Sequence, residues 1–427
     1  MNDEETVFST PAPSAEQQTR AAAKQWPDGL LERMLALRFP SWKIEQALSA
    51  ETFPTLDMFE AEVRGRERLA SGLFIREATW EDDERLTDLF ANSSERLGDW
   101  DVTVERGPNP FAQQRLQENW HVKLIEDRGV ALGVSAQSGR SSWVSGRQLS
   151  VSWMGGWRVR NGFRRLGYSG MLLDAPGSAA GVFGLVSYWY VRLDNGLAQN
   201  WISHEVIDAE DSSGRTFDKL TATVYDLDAT GSAGCRDARV RLIRPDDVDR
   251  CVELINATHD GLDLFRPYTA DFLRGRLDDL FWGPKPPFVA TVYDWHDMAV
   301  LEHGGEIVAC GGLWDRGRDV RERWRNRVTG EERTSDTACL MDFGFAPGHE
   351  PTMAALIRHH LATASDLGRT TLSAPLEFLP TVVAELGELG DTKIVEERRL
   401  FETMGFHMPD LHIEPNITRP YTDLAYW

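Results

Sequence analysis

RQLSVSWMGGWRVRNGFRRLGYSG, residues Arg147 to Gly170, starts as a strand and ends as a basic, glycine-bearing loop. As far as Val159 it is rich in valine, tryptophan and serine, and it reads as a β-strand. The pair Gly155-Gly156 interrupts that strand, which predicts a bend or a bulge. Beyond it, Arg158, Arg160, Arg164 and Arg165 stand among Gly162, Gly167 and Gly170. Main-chain amides from Arg164 to Ser169, followed by the apolar Met171-Leu172-Leu173, would form an anion-binding nest at a helix N-terminus. Glycine at 167 and 170 lets a ligand approach the backbone closely. At most two of the four arginines are expected to touch a ligand, the others being solvated surface charges.

This basic loop sits in an acidic chain. The 67 Asp and Glu residues against 46 Lys and Arg give a net charge of -21, which argues against nucleic acid and anionic membranes as partners. The acidity suits a soluble cytoplasmic protein, or a groove for cationic amines. Cys235, Cys251, Cys310 and Cys339 form no CxxC and have no histidines at metal spacing, so they read as core residues of a reducing compartment, with no metal site. His296 and His303 have the wrong spacing for a helical or strand ligand pair. The N-terminus shows no apolar signal stretch, and no run of about 18 apolar residues occurs.

The length of 427 residues calls for two or three domains. Residues 1–23 read as a disordered tail. Residues 24–70 read as a helical extension with Leu30, Met34, Leu37, Ile44, Ala47 and Leu48 at helical spacing around Pro40; the three short helices resemble a ubiquitin-associated-type bundle or a plain docked extension. Then a strand, an acidic cap and a helix occur twice. The first set is Leu73–Glu77, Thr79 and the stripe Leu86, Leu89, Phe90. The second is Val240–Ile243, Pro245 and the stripe Val248, Cys251, Val252, Leu254, Ile255, with Ile75-Arg76 matched to Ile243-Arg244. The chain therefore reads as α+β, with mixed sheets in two tandem domains at 71–227 and 238–427 and a linker at 228–237.

The hexapeptide Arg164-Arg165-Leu166-Gly167-Tyr168-Ser169 resembles the [RQ]-x-x-G-x-[GAS] acyl-CoA loop of the GNAT superfamily of N-acetyltransferases, and Val191, Asn195 and Ala198 fit that family's later strand and N-x-x-A positions. The resemblance implies two GNAT-like domains, with acetyl-CoA or another acyl-CoA as co-substrate and a primary amine of a small molecule or peptide as acceptor. It places the pyrophosphate on Arg164, Arg165, Leu166, Gly167, Tyr168, Ser169 and Gly170. The pantetheine arm would lie along Trp157 and Val159, with Asn195 at its far end, and a bulge at Gly155-Gly156 would part this strand from the next. The family's usual acid, a tyrosine beyond that asparagine, is replaced here by Ile202. Tyr190 or Tyr188 stand in as acid and Glu126 as base.

The second copy departs from the family. Its strand runs into Ala346–Pro351, which has one glycine, no arginine, and Glu350 where a pyrophosphate would be repelled, so its cofactor loop reads as degenerate. Arg399–Phe406 resembles the family's closing L-Y-x-x-x-G-F with Phe401 in the tyrosine position. The polar run Trp314–Asp336 reads as a solvated excursion or a basic lid over the first cleft. Two further functions fit the same residues: a non-catalytic acyl-CoA-binding pseudoenzyme or sensor, and an aminoacyl-tRNA-dependent transferase, which the net charge disfavours.

Overall fold

Each repeat opens with an arginine tied to an aspartate six residues later. In the first, Arg76 binds both oxygens of Asp82 at 2.7 Å and reaches Glu126 at 2.6 Å. In the second, Arg241 binds Asp247 at 2.6 and 3.0 Å and Glu302 at 2.6 Å. Asp82 and Asp247 also accept the main-chain N–H of Thr79 and of Arg244, each at 2.8 Å, and so close the turn that starts the helix. The counterpart of Arg76 is therefore Arg241, not Arg244: the sequence match was displaced by three residues because an isoleucine-arginine pair follows the true strand.

The computed structural model describes residues 13–23, 29–37, 44, 45, 47, 48, 60, 63, 64, 67, 73–164, 168, 172, 186–192, 215–232, 236–281, 289–388, 393–407, 421 and 424, with backbone only for 186–192, 215–222 and 396–407. The N-terminal part contains α1 (Ala15–Ala23) and α2 (Leu30–Ala36). The first repeat contains β1 (Leu73–Glu77), α3 (Asp83–Ala91), β2 (Glu95–Leu97), β3 (Trp100–Arg106), α4 (Ala112–Arg115), β4 (Trp120–Asp127), β5 (Val130–Val144), β6 (Arg147–Val159), β7 (Val186–Arg192) and β8 (Arg215–Asp228). The second contains β9 (Val240–Leu242), α5 (Val248–Thr258), α6 (Ala270–Leu277), β10 (Met298–His303), β11 (Glu306–Trp314), α7 (Arg316–Asp319), β12 (Val320–Asn326), β13 (Glu332–Ser335), β14 (Thr337–Phe345), α8 (Glu350–Asp366), β15 (Thr371–Ala374), α9 (Pro380–Glu388) and β16 (Ile394–His407).

The main sheet has 12 strands in the order β1-β4-β5-β6-β7-β16-β8-β15-β14-β11-β10-β9. The pairs β6–β7 and β14–β15 are parallel. Among the described residues the last strand is β16; it lies between β7 and β8 and is antiparallel to both, so a strand of the second repeat completes the half formed by the first. One apolar cluster runs from Leu86, Phe111 and Trp153 to Val248, Phe272 and Trp314, so the two repeats share a core. This is the expected α+β architecture with mixed sheets. Among the described residues no helix is long and apolar enough to cross a membrane.

The run Trp314–Asp336 is neither a solvated excursion nor a basic lid. Its strand β12 pairs with β3 from Val320–Arg106 to Asn326–Trp100, which makes a second sheet in the order β13-β12-β3-β2. Its arginines are neutralised in place: Arg323 by Glu105 at 3.0 Å and Arg327 by Asp101 at 3.7 Å, while Arg333 lies 4.6 Å from the ring centres of both Trp100 and Trp324. The tail also differs from its reading, since Ala15–Ala23 is a helix. Low hydrophobicity hid a capping box, in which Ser14 Oγ accepts the Gln17 N–H at 3.1 Å and Gln17 Oε1 accepts the Ser14 N–H at 3.0 Å. Ala21 packs with Leu30, Met34, Ile44, Leu48 and Val63, the apolar face expected for the extension.

Acidic groups crowd where the repeats meet. Burial raises Asp297 to about 6, although it accepts the Asp294 N–H, and Asp294 and Asp315 add to the rise. Burial likewise lifts Asp83 to about 6. The folded state therefore holds these protons more tightly than the unfolded chain. Their contribution is fully present below the ordinary carboxylate pKa of 3.8 and is lost as pH rises to about 6. Asp297→Asn, which keeps the acceptor for the Asp294 N–H, is expected to stabilise the protein at pH 7 by on the order of 2 kcal/mol. The gain should vanish by about pH 4. Urea unfolding across that range checks this; a pH-independent gain would mean that Asp297 does not titrate as described.

Candidate active site

The parallel ladder between β6 and β7 ends at Trp153–Tyr188, yet β6 continues to Val159. Just beyond the last pair the β5–β6 register slips, from Ala136–Gly155 to Val134–Arg158, which marks the bulge expected at the two glycines. Both glycines are required. A Cβ at 155 would lie 2.2 Å from the Trp153 ring, and Gly156 has φ +63°, a conformation that L side chains rarely adopt. The parted strands open beside a narrow cavity of about 10 Å³, lined by Phe90, Arg106, Phe111, Gln114, Ala136 and Gly156 among others. A V-shaped gap with a bulge at its apex frees main-chain groups to pair with an extended ligand and to polarise a carbonyl.

The second repeat builds the same apex. β14 and β15 are parallel only from Thr337–Thr371 to Cys339–Ser373, and the β11–β14 register slips from Gly312–Met341 to Cys310–Gly344. Asp342 takes the place of Gly156, three residues past the last parallel pair, and it too has a positive φ, +48°. Gly312, paired beside the bulge as Ala136 is in the first repeat, has the Tyr293 hydroxyl 1.7 Å from where a Cβ would be. The Asp342 carboxylate accepts from Tyr268 at 2.6 Å and is paired with Arg276, all three buried. Burial, reinforced by Asp342, pushes the Tyr293 phenol well above its usual range. The second apex is thus filled by the protein's own side chains.

Two tandem apices of this kind on one continuous sheet can be compared with known folds. The chain is similar in fold to N-myristoyltransferase. The Saccharomyces cerevisiae enzyme with bound myristoyl-CoA superposes with a TM-score of 0.53 over 82% of this chain and 87% of that chain, at 10% identity. A structure of the same enzyme with myristoyl-CoA and inhibitors gives a TM-score of 0.51, with 82% and 87% covered at 9% identity. The α+β architecture thus resembles a tandem GNAT fold. No protein-family model matches the chain, and no curated protein matches its sequence. At this identity the likeness to N-myristoyltransferase concerns fold alone, so the role of each side chain rests on its own surroundings.

The loop arginines are mostly accounted for. Arg158 is paired with Glu95, and Arg160 with Asp88 while it also donates to the Ala131 carbonyl at 3.0 Å. Arg164 donates to the carbonyls of Val159, at 3.4 Å, and Ser94, with no carboxylate in contact among the described residues. Burial lowers its pKa, partly offset by Glu95. Of these three, Arg164 is therefore the one with charge to spare for a ligand. Tyr168 is buried with Leu73, Ile125, Leu132 and Leu172, and Val159 packs against that cluster, so any contact of Tyr168 with a cofactor is through its main chain. Trp157 is half-buried on the bulged strand. Tyr190 lies in β7 opposite Glu402 of β16. Its side chain lies outside the described residues, as do Arg165, Leu166, Gly167, Ser169, Gly170 and Asn195.

Glu126 is not placed to act as a base. It is on β4, with β5 between it and the bulged strand, and its carboxylate is held by Arg76 at 2.6 Å and Arg85 at 3.3 Å. Glu302 does the same for Arg241 in the other repeat, which marks both as structural counter-ions of the strand-to-helix turn.

Arg106 is the residue that sequence reading missed. It ends β3, is 7% exposed, and lies 4.6 Å over the Phe90 ring at the wall of the first cavity. Among the described residues its partners are all neutral: Gln113 at 2.7 Å, Gln114 at 3.3 Å and the Pro110 carbonyl at 3.5 Å. Its Nε has none. Burial pushes the guanidinium down to about 9, and Arg158 and Arg316 push the same way. Nothing in VTVERGPNPF distinguishes this arginine from a surface one; it is the packing of Phe90, Pro110, Gln113 and Gln114 against it that encloses it.

Proposed function

We propose that the protein is an acyl-CoA-dependent N-acyltransferase that moves acetyl or another acyl group to a primary amine of a small molecule or peptide. The observation that supports this best is the parting of β6 from β7 at the Gly156 bulge, directly before the arginine- and glycine-bearing loop. In this reading the pantetheine arm pairs with the freed edge of β6 near Trp157 and Val159. The diphosphate rests on the amides of 164 to 170 with Arg164 beside them, and Asn195 holds the far end. The neutral amine nitrogen attacks the thioester carbon, the C–N bond forms as the C–S bond breaks, the nitrogen gives up one proton to water, and CoA leaves as thiol with a proton from water or from Tyr190, which water then reprotonates. Positioning and polarisation of the thioester by the bulge carry most of the rate. The second repeat is a shaped support rather than a second centre, because Asp342 puts a carboxylate in its cleft and Glu350 stands at its loop.

The fold neighbour was crystallised with myristoyl-CoA, so acyl chain length is an open variable of the test. Calorimetry of the full chain with acetyl-, octanoyl- and myristoyl-CoA is expected to show saturable binding of at least one, followed by thiol release when primary amines are added. Absence of binding by all three ends the proposal. Binding without turnover of any amine supports the second reading, an acyl-CoA sensor, which the isoleucine at 202 and the occupied Glu126 favour.

A further inference from the structure

A buried guanidinium with no counter-ion is costly, by several kcal/mol for an ion moved out of water and left unpaired. Proteins keep such a group where something anionic arrives to meet it. Arginine does not escape the cost by losing its proton at neutral pH. In Arg106 three features meet: nine-tenths burial, an Nε with no partner, and a place on the wall of the cavity that also touches Gly156 at the apex of the parted strands.

The second repeat shows what an arginine in this setting requires. There Arg276, also buried and 4.8 Å over a phenylalanine ring, that of Phe272, meets the carboxylate of Asp342. Asp342 occupies the bulge position that is Gly156 in the first repeat. The two arginines come from different elements, β3 and α6, yet each lies over a phenylalanine ring, and Arg106 shares its cavity with Gly156 as Arg276 pairs with Asp342. Where one bulge carries its own carboxylate, the other carries a glycine and a cavity.

Resting on the transferase reading above, we infer that Arg106 receives a carboxylate of the acceptor, so that the amine substrate is an amino acid or another amine bearing a nearby carboxylate. The carboxylate would replace the weak contacts to Gln113 and Gln114 with a charge-assisted pair, and the glycine at 156 would leave its amine room at the thioester. An acidic acceptor is unexpected for a chain of net charge -21, which repels anions at long range; a single enclosed arginine supplies the local attraction that the surface lacks.

The test needs no acyl-CoA and so is independent of the transfer reaction. The full chain is titrated calorimetrically, at constant ionic strength, with the N-acetyl derivatives of glycine, β-alanine and 4-aminobutyrate, and with N-methyl-, N-ethyl- and N-propylacetamide, which lack only the carboxylate. At least one acid is expected to bind about tenfold or more tightly than its matched amide. Arg106→Met, which keeps the apolar stem, should remove that difference, while acetyl-CoA binding persists. Equal affinities within every pair, no binding by any of the acids, or a difference that survives Arg106→Met each overturns the inference. So does equal displacement by sodium chloride or phosphate, which would make this a site for inorganic anions only. The comparison within the unaltered protein stands even if the variant does not fold. Failure here with acyl-CoA binding intact sinks the carboxylate and spares the transferase.

Discussion

Asp342→Asn is expected to lower the unfolding free energy by on the order of 3 kcal/mol, a large fraction of a typical domain's margin of about 5–15 kcal/mol. Asparagine tolerates the left-handed backbone at φ +48°, so strain is not the cause. The cause is charge: Arg276 is 2% exposed, and its guanidinium would face a neutral amide in the filled cleft. Removing one partner of a buried ion pair leaves the other's desolvation uncompensated, which costs more than the pair itself contributes. Arg276→Met in the same chain should therefore recover part of the loss, and the double-mutant coupling should be at least about 1 kcal/mol. Urea unfolding at pH 7 measures all four corners of this cycle. A loss below about 1 kcal/mol for Asp342→Asn would mean that water reaches Arg276, and the second apex would then be open rather than filled.

The sequence made local features legible and left pairings between distant segments hidden. β1, β6 and β14 run over the residues that the alternation and the flanking turns marked, because strand propensity and glycine punctuation act locally. The bulge was legible for the same reason: two adjacent glycines in a strand have few structural explanations. By contrast, β16 between β7 and β8, and β12 against β3, join segments that no local rule connects. Charge balance follows pairing, so the arginines of Trp314–Asp336 read as a basic run although each strand partner brings an acid, and Glu126 read as a base until Arg76 and Arg85 were found on it. Arg106 was illegible on the same ground, since burial of a charged residue at a strand end is a property of what packs over it.

Gly156→Val is expected to reduce acyl transfer by about 100-fold or more, the loss typical of removing one main-chain donor from a carbonyl-polarising site. Valine is the residue least able to hold φ +63°, so the bulge should relax toward regular pairing, and the main-chain N–H at the apex would turn back into the sheet. Space is not the obstacle, because a Cβ at 156 meets its nearest neighbour, Ala136 Cβ, at 3.4 Å. The protein should therefore fold, with a stability loss of about 1–2 kcal/mol from the backbone. Gly156→Asn separates the two ways in which the glycine acts. Asparagine keeps the left-handed conformation and the bulge, but it adds a side chain at a residue that lines the same narrow cavity as Arg106. The asparagine variant is expected to retain acyl-CoA affinity within a few-fold while its KM for the amine rises; the valine variant should lose both. Calorimetry with acyl-CoA and thiol release over a range of amine concentrations distinguish the pair. Should both variants turn over at the rate of the unaltered protein, the thioester does not lie at this apex, and the parted strands serve some other end.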